Sequence, residues 1–128
     1  MLRLRTARWN EPRTAEDGTR ILISRYRPRA LPKKDETWDE WRKELGPSVA
    51  LHADFYGKHG PPIGILEYVR RYHEEMRERH AEVDALVTRL RAGEALTLLC
   101  SSACTVPQQC HRTLLAKLLR AAVEGAAM

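Results

Sequence analysis

Ala95-Leu96-Thr97-Leu98-Leu99-Cys100 decides the fold. This short run is almost wholly apolar, and it follows a helical pattern that Gly93 closes. A helix succeeded at once by such a run reads as a strand buried on both faces, the signature of a parallel sheet. Upstream, Val83, Leu86, Val87 and Leu90 form one face of a helix, with Gly93 as its C′ residue. Before that, Ile65, Val69, Tyr72 and Met76 stand at i, i+4, i+7 and i+11, a second amphipathic helix. Downstream, Leu114, Leu115, Leu118, Leu119 and Ala122 give a final helix its core face.

The amino-terminal half carries the partner strands. Leu2 to Thr6 alternates with period two, and Thr19 to Arg25 is a β-branched apolar run read as a central strand. Pro12 and Asp17-Gly18 supply turn chemistry between them. Pro28 and Pro32 end the second strand. Thr37 and Glu40 have capping-box spacing, which predicts a short helix ending at Gly46-Pro47, with Trp38 and Trp41 on one core-packing face. Val49 to Tyr56 reads as either an irregular segment or a short helix, and His59 to Pro62 is a break. The expected fold is α/β, one domain over residues 1–128, with a small mostly parallel sheet flanked by helices.

Composition narrows the function class. Hydrophobic residues make up 43% and charged residues 30% of 128, as in a soluble globular domain, and no apolar stretch approaches the ~20 residues of a membrane helix. Met1 to Arg5 lacks the apolar core of a signal peptide, so the expected location is the cytoplasm, without a membrane partner. Twenty-two Lys and Arg against 17 Asp and Glu leave a formal charge of +5, which suits an anionic partner and equally suits a general surface charge. Arg70, Arg71, Arg77 and Arg79 alternate with Glu74, Glu75 and Glu78 as a solvated, ion-paired face. His52, His59, His73 and His80 are read as surface or loop residues.

Cys100, Cys104 and Cys110 fall within eleven residues, an odd number that argues against a disulfide framework. Thr105 and Gln108 repeat the capping-box spacing, so a helix is expected to begin near Val106, beside the carboxyl end of the strand that ends at Cys100. Ligands of open α/β sheets bind at that end, and a helix amino terminus favours anions. Three chemistries compete here. An anionic ligand could be held by Ser101, Ser102, Cys110, His111 and Arg112. A cysteine, Cys100 first, could act as a nucleophile, although no Arg follows at the Cys-X5-Arg spacing of thiol phosphatases. Zinc could be held by the three cysteines with His111, although adjacent Cys110 and His111 would point ~100° apart on a helix. Buried packing of the cysteines is the plain alternative. No metal or cofactor is expected on these spacings.

Arg25, Arg27 and Arg29 alternate at the end of the central strand and form a positive edge, facing either the same ligand as Arg112 or solvent and carboxylates such as Asp35 and Asp39.

Arg20-Ile21-Leu22-Ile23-Ser24-Arg25-Tyr26-Arg27-Pro28-Arg29-Ala30-Leu31 resembles the RxLVDRLWPRGL segment of the YeaO-like family, domain of unknown function 488. Trp38 to Ser48, ending Glu44-Leu45-Gly46-Pro47-Ser48, and the run from Leu96 through Pro107 to Cys110-His111-Arg112 resemble it too. The resemblance spans essentially the whole chain. It implies a small cytosolic α/β domain and assigns no activity. Tyr26, Arg27 and Ala30 depart from its Leu, Trp and Gly. Members of the YeaO branch have Asn in place of Cys110 and no cysteine at the strand end, so the resemblance does not imply cysteine chemistry.

The reading is a binder of a phosphate-bearing or nucleotide-like anionic small molecule at the strand-loop-helix site. If the site is catalytic, His111 is the acid/base and Cys100 the second candidate. The alternative is a module that binds nucleic acid or a protein partner through Arg25, Arg27 and Arg29.

Overall fold

The computed structural model describes residues 2–101 and 110–125. Its sheet has four strands, Leu4–Arg8 (β1), Thr19–Leu22 (β2), Glu40–Trp41 (β3) and Leu96–Cys100 (β4). All pairings are parallel, in the order β1-β4-β2-β3, so the last strand lies between the first two. All five residues of β4 are buried, as its apolar run predicts. The register aligns Leu4, Leu96, Leu98 and Ile21 on one face, and alternation sends Arg20, Leu22, Thr97 and Leu99 to the other.

Helices cover the first face. Ile65–Glu78 (α2), His80–Arg91 (α3) and His111–Val123 (α4) contribute Tyr72, Met76, Leu86, Leu90, Leu115 and Leu119 to one core with Ile21, Leu96 and Leu98. A shorter helix, Val49–Phe55 (α1), adds Leu51. Gly93 has φ +91, the left-handed conformation its place after α3 requires.

The second face is covered by the segment between β1 and β2. Thr97 is wholly buried and donates its hydroxyl to the Asp17 carbonyl at 2.8 Å. Arg20 is also wholly buried: Nη1 lies 3.1 Å from Asp17 Oδ2, and Nη2 donates to the Trp9 and Glu11 carbonyls. Burial pushes the Asp17 carboxyl up, but hydrogen bonds from the Thr14 amide and hydroxyl, with the Arg20 charge, bring it below its ordinary value. Removing either partner of such a pair leaves an uncompensated buried charge, a cost of about 3–5 kcal/mol.

Four local expectations are corrected. The first strand is Leu4–Arg8 rather than Leu2 to Thr6, because pairing with β4 sets its limits. The second ends at Leu22, before Ser24 and Arg25. The helix expected from Thr37 does not form: the Thr37 hydroxyl donates to the Trp9 carbonyl, Asp39 takes the Arg20 amide at 2.8 Å, and Glu40–Trp41 pairs with β2 as an edge strand. Trp41 is therefore exposed, while Trp38 meets Trp9 edge-on at 6.3 Å. Finally, α4 begins at His111, with Cys110 extended at φ −100, ψ 138 as its cap residue, while Val106, where a start was expected, lies outside the described residues.

Gly18, at φ +62, brings the β2 approach against the backbone before β4; a Cβ there would lie 2.2 Å from the Ala95 carbonyl oxygen. Gly18→Ala should therefore cost about 2–4 kcal/mol through backbone strain and overpacking. Urea denaturation measures it, and an unchanged midpoint would contradict this close approach.

Candidate functional site

The chain leaves β4 toward α4, which packs on β1 and β4, and leaves β2 toward β3 on the opposite side. Where connections diverge like this, the carboxyl ends of adjacent parallel strands leave a crevice. Two hydrogen bonds carry the sheet to its edge, Trp9 N–H to the Cys100 carbonyl at 2.9 Å and Ile23 N–H to the Leu99 carbonyl at 3.0 Å. Immediately beyond them opens a cavity of about 350 Å³. Trp9 follows β1, Ser24 and Arg25 follow β2, and Ser101 follows β4; all four line it.

The opposite wall comes from α1. Ser48 accepts the Leu51 amide at 3.1 Å and so caps this helix, and its own amide and hydroxyl donate to Glu75 of α2. The helix thus anchored presents His52 to the cavity, with Tyr56 just beyond it. His52 lies edge-on to Tyr26 at 5.2 Å and tilted against Tyr56 at 4.6 Å. Burial, with the nearby Lys58 charge, lowers the His52 pKa from its ordinary 6.5, so the imidazole is neutral at pH 7.

Between β3 and α1 the chain makes one 3-10 turn, Lys43–Leu45, and side chains satisfy the carbonyls from Glu44 to Pro47. Arg25 Nε donates to Pro47 at 3.0 Å, Tyr72 hydroxyl to Leu45 at 2.8 Å, and Arg79 Nη1 to Glu44 and Gly46. A Cβ on Gly46 would lie 2.7 Å from the Arg25 amide nitrogen, so this position holds the two backbones in contact.

Three of the residues lining the cavity each carry one buried polar atom without a hydrogen-bond partner. Among the described residues, five buried side-chain nitrogens and oxygens have no hydrogen-bond partner. Three of them, Ser24 Oγ, Arg25 Nη2 and His52 Nδ1, belong to residues lining this one cavity. The other two are Arg20 Nε and Arg112 Nε. Orphaned buried polar groups cost about 1–3 kcal/mol each in an apolar setting, and a ligand recovers that cost. Among the described lining residues three are arginines and none is a carboxylate, so the field favours an anion.

The arginines are not equivalent. Arg27 is committed: its guanidinium pairs with Glu36 at 2.8 Å, donates to the Leu31 carbonyl and lies over the Trp38 ring at 5.6 Å. Asp39, one expected partner of this edge, instead takes Arg13 at 3.1 Å. Arg25 is anchored through Nε with Nη2 unpartnered. Arg29 is exposed and has no partner among the described residues.

Of the residues singled out in the sequence, Arg25, Arg27, Arg29 and Ser101 line the cavity. His111, Cys100, Cys110 and Arg112 are not among its described lining. His111 is the first residue of α4, with Nε2 2.9 Å from the Ile23 carbonyl and its ring 5.9 Å from that of Tyr72. Cys100 and Cys110 are buried thiols. Arg112 is 6% exposed; the Glu11 carboxyl is lowered chiefly by its hydrogen bonds from Arg8, to which the Arg112 charge adds least. Ser102, Cys104 and the Thr105/Gln108 cap lie outside the described residues. His52, read in the sequence as a surface or loop residue, is instead half-buried at the site.

A family model described as the active DUF488-N3 subclade matches residues 4–123. The chain belongs to the DUF488 family. It is 34% identical over 110 residues to the uncharacterized protein YeaO of Escherichia coli, covering 86% of this chain and 90% of that one. The uncharacterized protein Rv3073c of Mycobacterium tuberculosis is also 34% identical, over 62% of this chain and 64% of its own. No solved structure matches the chain. No helix among the described residues is long and apolar enough to cross a membrane. The two amino-terminal motifs of the DUF488 resemblance, Arg20 to Leu31 and Trp38 to Ser48, are joined by the hydrogen bond from Arg25, a cavity residue, to the Pro47 carbonyl.

Ala30, where the DUF488 pattern has Gly, has φ +57. A left-handed alanine is strained, so Ala30→Gly should raise stability by up to about 1 kcal/mol, and a lower melting temperature would contradict this. The His52 shift also has a sign. Below pH 6.5 the unfolded chain takes up a proton that native His52 refuses, so stability falls with pH until the native group itself titrates. His52→Asn should flatten that acid limb in denaturation series between pH 7.5 and 5, whereas parallel limbs would contradict it.

Proposed function

We propose that this DUF488 domain binds a phosphate-bearing, nucleotide-like anionic small molecule in the cavity at the carboxyl edge of its sheet. One observation carries the reading: Ser24 Oγ, Arg25 Nη2 and His52 Nδ1, three buried polar atoms without partners, all belong to residues that line the same cavity. A phosphoryl oxygen takes hydrogen bonds from a serine hydroxyl and a guanidinium together, and such charge-assisted bonds are the strong ones. The committed geometry of Arg27 gives it a structural part, which leaves Arg25 and Arg29 to meet the ligand. His111, through its contact with the Ile23 carbonyl, is a positioning residue that holds the backbone immediately before Ser24. Cys100 is buried directly before Ser101 and enters this reading as packing.

A second reading, a nucleic-acid-binding module, is favoured by unpartnered, exposed Arg29 at the cavity rim. Its mark is an affinity for long DNA or RNA that falls steeply with salt and is lost on neutralising Arg29.

Calorimetric titration with inorganic phosphate tests the first reading. Wild-type protein should bind saturably, and Arg25→Gln should weaken binding at least about tenfold, since a charged hydrogen bond is lost. Undiminished affinity in that variant, or no binding by wild type, would contradict it.

A further inference from the structure

The cavity has two chemically distinct ends. The buried donors, Ser24 Oγ and Arg25 Nη2, belong to the backbone that leaves β2, and exposed Arg29 completes the basic rim. The mouth is aromatic. Tyr26 is 49% exposed and Tyr56 64% exposed, although both are large rings, and His52 stands between them within 5.2 Å of each centroid. Scattered exposed tyrosines need no explanation, but two of them flanking an imidazole on a basic cavity make a stacking platform.

We propose that the ligand is a nucleoside monophosphate, its phosphate on Ser24, Arg25 and Arg29 and its base against the Tyr26–His52–Tyr56 cluster. This rests on the anion-binding reading above and adds the ring to it. Size supports the assignment, because about 350 Å³ is near the lower end of the roughly 300–1,000 Å³ of ligand pockets. That space suits one ring system with one phosphoryl group rather than a dinucleotide. His52 Nδ1, buried and unpartnered, is left to hydrogen-bond the base edge or a sugar hydroxyl. A neutral imidazole serves either group, as donor or acceptor, better than it serves a phosphate. The same chemistry is presented by a free nucleotide and by the 5′-phosphorylated end of a strand.

The test compares four probes by calorimetry on the full chain: inorganic phosphate, adenosine 5′-monophosphate, uridine 5′-monophosphate and a 5′-phosphorylated oligonucleotide. At least one monophosphate should bind about tenfold more tightly than phosphate, the scale of one stacked base. The double variant Tyr26→Ala/Tyr56→Ala should erase that gain and leave phosphate affinity unchanged. Because both rings are exposed, Tyr26→Phe/Tyr56→Phe serves as the folded control and should keep the gain. Monophosphates binding no more tightly than phosphate would overturn the base assignment while the anion site stands. So would a double alanine variant that weakens phosphate and nucleotide equally. No binding of any probe would overturn both readings. An oligonucleotide that matches the mononucleotide supports the assignment with a strand end as the source, and one that binds more weakly supports it with a free nucleotide.

Discussion

The constraint on which this structure depends is the insertion of β4, the last strand in sequence, between β1 and β2. Until Leu96 to Cys100 arrives, neither early strand has a neighbour on that side, and the pairings it makes span most of the chain. The strand can take this place because every one of its side chains is suited to burial. Leu96, Leu98 and Cys100 alternate toward one face, and Leu99 with the hydroxyl-satisfied Thr97 toward the other. Its insertion also aligns three carboxyl ends. Trp9, Ser24 with Arg25, and Ser101 converge because each is the first chain to leave its strand, and no side chain needs to reach far.

Around that edge the backbone is held by side chains rather than by ladders. Arg25, Tyr72 and Arg79 reach the carbonyls between Glu44 and Pro47, and His111 reaches that of Ile23. Tyr72 and His111 belong to helices and Arg79 ends one, so the segment inherits their rigidity. The arrangement leaves unsatisfied atoms at the cavity itself, at Ser24, Arg25 and His52. Native proteins retain few such groups, so three at one cavity call for a physical cause.

Much of the fold was legible in the sequence. The apolar run of β4, the 3.6-residue stripes of α2 and α3 and the glycine at position 93 are local signals with a single physical cause each. The edge strand at Glu40–Trp41 was not, because two residues carry no periodicity and their pairing is decided by Asp39 and Arg20, nineteen positions apart. The Thr37 cap spacing was present but lost to the Trp9 carbonyl. At the site, the arginine alternation pointed to residues that line the cavity, whereas the division between committed Arg27 and Arg25 with its free Nη2 depends on Glu36 and Pro47 and is a tertiary fact. His52 was missed because a seven-residue helix shows too little period. Its one usable signal was Ser48 after Gly46-Pro47, an amino-terminal cap.

We propose above that the converging strand ends form an anion site. Amide chemical shifts of isotopically labelled protein titrated with inorganic phosphate test it most directly, residue by residue. Saturable shifts should centre on Ser24, Arg25 and Ser101, with His52 following across the cavity. Shifts confined to the arginines of α2, such as Arg70 and Arg77, or none at all, would contradict it.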